Sequence, residues 1–114
     1  MSYKELLAWQ AAMELCKATY RATENFPKRE IFGLTAQMRR SAVSIPSNIA
    51  EGEGRLTPGE RRLFLGHSRG SLYELETQVM IASGVGYLGG TDLMSRIEKT
   101  RAVLDGYIEY VKKQ

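Results

Sequence analysis

The chain has 114 residues, 43% apolar and 25% charged, with a net charge of +3, which is the profile of one globular domain over residues 1–114. One cysteine, Cys16, excludes an internal disulfide and a cysteine-rich zinc site, and the single histidine, His67, supplies no recognisable ligand set. The longest uncharged run, 77–91, is 15 residues and carries four glycines, whereas a membrane span needs about 20 mostly apolar residues. The opening MSYKELLAWQ lacks a charged-then-apolar leader layout, so a cytoplasmic protein without membrane or cofactor is expected.

The periodicity is helical from end to end. Ser2-Tyr3-Lys4-Glu5 has capping-box spacing, and Leu6, Trp9, Met13, Cys16 and Tyr20 follow as one stripe that Pro27 closes. A second helix carries Leu34, Met38, Ala42, Ile45 and Ile49. Its stripe stays in phase across Pro46, which predicts a kinked helix rather than two, with Gly52 and Gly54 as stops. Thr57-Pro58-Gly59-Glu60 is the clearest start in the chain, and Leu65, Ser68, Leu72, Leu75, Val79 and Ala82 keep the spacing after it. Gly84, Gly86, Gly89 and Gly90 end that third helix. The fourth uses Met94, Ile97, Leu104, Ile108 and Val111, with Lys112 and Lys113 at its negative end. With no alternating strand pattern, the prediction is an all-α, antiparallel up-down-up-down four-helix bundle.

Two helices carry more apolar surface than one bundle needs. Beside its stripe, the first has Leu7, Ala11, Leu15, Ala18 and Ala22. The third has Leu63, Gly66, Gly70, Tyr73, Thr77, Met80 and Ile81 away from its core line, bordered by Arg69 and Glu76 on one side and His67, Glu74 and Gln78 on the other. A second apolar face is shared with another chain or is merely wide. The first reading predicts a homo-oligomer with these residues at the interface.

Residues 66–70, GHSRG, match the G-x-S-x-G pattern of serine hydrolases. That pattern needs a strand before a sharp turn, and here it falls inside a helix. His67 adjoins Ser68, so the two side chains point about 100° apart on the helix surface. Ser68 is therefore expected to pack in the core, and neither a catalytic residue nor a metal is assigned. An esterase using Ser68 is the enzymatic alternative. Arg40, Ser44, Ser47, Asn48 and Glu51 recur at spacings of three and four on the second helix. They could meet Glu74 or Glu76 in a buried network or form a solvated ladder. Between positions 39 and 69, six arginines face three glutamates, an excess equal to the net charge of +3. Arg55, Arg61, Arg62 and Arg69 are the candidate contacts to nucleic-acid phosphates, and a solvated face balanced by local acids is the alternative.

The stretches LTAQMRRSAVSIPSNIAEGEGR (34–55) and FLGHSRGSLYELETQV (64–79), after the opening YKELLAWQAAMELCKATYRATENFP (3–27), resemble the four-helix-bundle proteins encoded in intervening sequences of 23S ribosomal RNA genes. The resemblance implies a small bundle, often a ring-like pentamer, without known enzymatic activity. A related group, the accessory proteins of diversity-generating retroelements, binds nucleic acid and a reverse transcriptase, so that role is an alternative for this chain. The implied partners are therefore a second copy, RNA or DNA, and a protein. Arg39, Arg40, Asn48, Glu51, Gly70, Ser71 and Glu74 match the family's motif, and all but Gly70 form the candidate polar network. Ser68 stands where the family usually has alanine, and Glu53 where an aromatic is common.

Overall fold

The computed structural model describes residues 2–89 and 92–114. The predicted Gly90 stop lies outside them. Four helices make up the fold: α1 (Leu7–Thr23), α2 (Leu34–Glu53), α3 (Pro58–Gly84) and α4 (Leu93–Lys112). Two 3-10 turns, Tyr3–Glu5 and Lys28–Glu30, complete the secondary structure, and no strand occurs among the described residues. No described helix is long and apolar enough to cross a membrane.

Each helix packs on two others, α1 and α3 at opposite corners and α2 and α4 at the remaining two. The side-chain pairs give the register. Ser41 meets Glu74, Ser44 meets Ser71, and Ser68 meets Ile45, so α2 and α3 are read in opposite directions. The pairs Glu76–Arg101, Arg69–Asp105 and Arg61–Gln114 do the same for α3 and α4. The core between the helices is built from Leu15, Met38, Ile45, Ile49, Leu65, Leu72, Leu75, Val79, Ile97 and Leu104. Burying each contributes about 1.5–3 kcal/mol.

The stripes of α2, α3 and α4 face inward as their spacing predicts, but the expected stripe of α1 does not. Ala8, Ala12, Leu15, Ala18, Thr19 and Thr23 are its buried residues. Leu6, Trp9 and Cys16 pack only at the edge, and Tyr20 is exposed. Apolar and small residues cover most of α1, and its buried face falls between the two expected stripes, taking only Leu15 and Ala18 from the second. Contact with both α2 and α4 chose this face, and the small residues Ala8, Ala12 and Ala18 permit close approach. Thr19 and Thr23 join this face because their hydroxyls donate to Leu15 O and Thr19 O, each at 2.8 Å, leaving no unpaired donor.

The helix ends show further differences. Ser2 caps the short 3-10 turn, accepting Lys4 N at 3.2 Å, while α1 begins later, at Leu7, without a side-chain cap. Helix α2 continues through Pro46. Gly52 lies buried inside its last turn rather than beyond it. A Cβ at Gly52 would stand 3.1 Å from Phe64 Cβ and 3.3 Å from Arg61 O, so glycine permits close approach of α3 there. The Thr57 start forms as predicted: Thr57 Oγ1 accepts Glu60 N at 3.2 Å and its hydroxyl donates to Glu60 Oε1 at 3.0 Å. At the other end of α3, Gly86 adopts φ +84°, which favours glycine.

Candidate functional site

Ser68 is fully buried, and its hydroxyl donates to Ile45 O of α2 at 2.8 Å. His67 is exposed, with its ring beside Phe64. The hydroxyl thus bonds a carbonyl beside Pro46, with no access for a substrate, which removes the geometric basis for the esterase.

Ser68 belongs to a polar seam between α2 and α3. Ser41 Oγ donates to Glu74 Oε1 at 3.0 Å, and Ser44 Oγ lies 2.8 Å from Ser71 Oγ. Asn48 Nδ2 donates to both Ser44 O and Ser44 Oγ at 2.8 Å. Of the expected network, Asn48, Ser71 and Glu74 are therefore brought together, through Ser41 and Ser44. The other three go elsewhere. Arg39 reaches back to α1, its Nε donating to Thr23 Oγ1 at 2.9 Å and its guanidinium 4.7 Å from the Tyr20 ring centre. Glu51 pairs with Arg55 at 3.3 Å on the surface. Arg40 is exposed and makes no side-chain hydrogen bond or ion pair among the described residues. Arg39 and Arg40 enter the expected network through the family's motif and helix spacing, which do not fix how closely two helices pack. The helices instead approach closely enough for serines.

The candidate phosphate contacts are mostly neutralised. Arg55 pairs with Glu51 and, at 3.9 Å, with Glu60, and its guanidinium covers the Phe64 ring at 4.3 Å. Arg61 Nε lies 3.6 Å from Glu53, which also accepts the Tyr107 hydroxyl at 2.6 Å. Burial, reinforced by that carboxylate, pushes ionisation of Tyr107 well above the ordinary phenol range. Arg69 faces Asp105 at 3.9 Å. Arg62 alone of the four has no such partner among the described residues. It lines an open groove of about 390 Å³ with Arg69, Gly66, Gly70, Tyr73, Ile108 and Lys112.

The second face of α3 lies in solvent: Leu63, Gly66, Gly70, Tyr73, Thr77, Met80 and Ile81 are all exposed. At Gly66 and Gly70 an added Cβ would find nothing within 4 Å. Tyr73 is held by Arg101 at 5.2 Å and Arg69 at 5.9 Å from its ring centre, while Arg101 pairs with Glu76 at 2.6 Å. On α1 the expected interface is corrected. Leu15 and Ala18 are buried in the protomer's own core, whereas Leu7 is exposed and Ala11 half-buried. Leu7 and Ala11 line a groove of about 520 Å³ against Lys99 and Val103 of α4.

The turn between α1 and α2 was not singled out by sequence. Phe26 packs on Tyr87, whose hydroxyl donates to Glu30 Oε2 at 2.8 Å. Glu30 Oε1 accepts Leu34 N at 3.1 Å, closing the start of α2. That backbone bond, then the Tyr87 hydroxyl, hold the Glu30 carboxyl below its ordinary range. The signal in the sequence was a glutamate four residues before Leu34, which reads as an ordinary surface acid until its partners are known.

A family profile of 23S rRNA-intervening sequence proteins matches residues 4–106. The chain belongs to this family. The match spans all of α1 to α3 and most of α4, so the family's bundle includes both the seam and the exposed α3 face. No curated protein is significantly similar to the chain.

Proposed function

We propose that this family member is a non-enzymatic, self-associating helical scaffold that acts in the cytoplasm. The exposed face of α3 carries the reading. Leu63, Tyr73, Met80 and Ile81 stand in solvent beside two glycines whose Cβ positions are open. Contiguous apolar surface of this kind marks a contact, and the glycines leave room for a second helix. Leu7 and Ala11 extend the candidate interface on α1. A pentamer is the state the family resemblance implies. Light scattering at micromolar concentration should return a particle of several chains, and Tyr73→Glu with Met80→Glu should reduce it to one without loss of helix content. A wild-type monomer would refute the scaffold.

A second reading, RNA binding, is favoured by exposed cations without acidic partners, among them Lys28, Arg40 and Arg62, and by the 23S rRNA in the family's description. Affinity for RNA that falls steeply with salt would support it, because phosphate contacts release counterions. A role beside a reverse transcriptase is the alternative setting for the same binding.

A further inference from the structure

Resting on the RNA reading, we infer that the α1–α2 turn is a docking site for single-stranded RNA, where Phe32 stacks on a base and Lys28 and Arg29 meet the flanking phosphates. The Phe32 side chain is 94% exposed and its neighbour Ile31 57%. Burying a phenylalanine contributes about 1.5–3 kcal/mol, and the fold forgoes that gain here.

The turn holds the ring outward. Pro27 O accepts Glu30 N at 2.9 Å, Lys28 O accepts Ile31 N at 3.1 Å, and Glu30 O accepts Gly33 N at 2.9 Å. Glu30 fixes both flanks through Leu34 N and the Tyr87 hydroxyl. A ring on a pre-ordered turn binds with little loss of conformational entropy.

Charge selects the occupant. Lys28, Arg29 and Glu30 together leave one net positive charge on the turn, and both Glu30 oxygens are held by neutral donors, Leu34 N and the Tyr87 hydroxyl. Lys28 has no acidic partner among the described residues, and the one side-chain hydrogen bond of Arg29 goes to the Tyr87 hydroxyl at 3.4 Å. A net positive turn beside a free aromatic ring matches a strand of stacked bases and phosphates. The other exposed tip, Leu56, has no flat ring, and its neighbour Arg55 is paired with Glu51 and Glu60. Five residues are too few for a stable protein interface, which needs roughly 1,000 Å². A duplex is disfavoured because its base faces are already stacked.

The test is fluorescence anisotropy of a labelled oligouridine with the full chain at low salt. Phe32→Ala should weaken binding roughly 5- to 150-fold, the worth of one stacked base, and Phe32→Tyr should restore it. Lys28→Ala with Arg29→Ala should lower the salt slope by about 1.4, two contacts at roughly 0.7 each for a single strand. Wild-type binding that Phe32→Ala leaves unchanged overturns this site while the RNA reading survives. No wild-type binding at low salt overturns both. Equal affinity for duplex RNA overturns the stacking. Phe32-dependent binding to phosphatidylserine vesicles without RNA binding would make the turn a membrane contact instead.

Discussion

The two ends of the bundle use the same device to opposite effect. At one end the Tyr107 hydroxyl donates to Glu53, and at the other the Tyr87 hydroxyl donates to Glu30. Glu53 also faces Arg61, so a carboxylate and a cation cancel within the protomer. The second oxygen of Glu30 takes the Leu34 N–H instead, which caps α2, and the turn with Lys28 and Arg29 keeps one net positive charge. An acid therefore pairs directly with a cation only where the fold points it at one. The first end is also drawn tight by Gly52 against Phe64, whereas the second presents Phe32 to solvent.

The sharpest way to break the closed end is Gly52→Val. Side-chain atoms there must displace Phe64 or the Arg61 backbone, and urea unfolding should show a loss of about 1–3 kcal/mol. No loss would mean that α2 and α3 separate freely. Tyr107→Phe should cost about 1.5 kcal/mol, at the low end for a hydrogen bond to a charged group because Glu53 keeps Arg61. Thr57→Ala removes the α3 cap and should cost about 1 kcal/mol by the same measurement.

At the open end the expected effect depends on pH. The folded-state pKa of Glu30 lies below its unfolded value. Its contribution is therefore present above the unfolded value, about 4.3, and is lost as pH falls through the folded one. Between pH 5 and pH 3 the wild-type melting temperature should drop further than that of Glu30→Gln. Parallel curves would show that the Leu34 and Tyr87 bonds do not stabilise the ionised form. Phe32→Ala should change stability by less than about 0.5 kcal/mol, a small effect that separates a docking residue from a core residue. A large loss would place Phe32 in a contact within the assembly.

Local rules served where the chain decides its own structure. The Thr57 start and the core lines of α2, α3 and α4 depend on capping groups and on apolar spacing, both carried within a few turns of helix. The placement of Ser68 followed for the same reason, because Ser68 lies in phase with Leu65 and Leu72. The seam was only half legible. Ser44, Asn48, Ser71 and Glu74 were found, but Ser41 was missed as the partner of Glu74 because its reach depends on how closely α2 approaches α3. Of the four candidate arginines Arg62 stays unpaired among the described residues, Arg55 meets the local acids Glu51 and Glu60, and Arg69 is paired for a related reason. Asp105 lies 36 positions from Arg69 and meets it only because α3 and α4 run beside each other.

By itself the sequence determined that four helices form, where α3 starts, where α2 and α3 stop, and which family the chain resembles. These outcomes rest on short-range hydrogen bonding and the 3.6-residue period. Tertiary structure alone decided which line of α1 turns inward: Gln10, Glu14, Lys17 and Arg21 mark its outer face, but only contact with α2 and α4 selects Ala8, Ala12, Leu15, Thr19 and Thr23 from the rest. It also decided which charges stay available. Neutralisation depends on distance in space, and that distance is set by helices far apart in the chain.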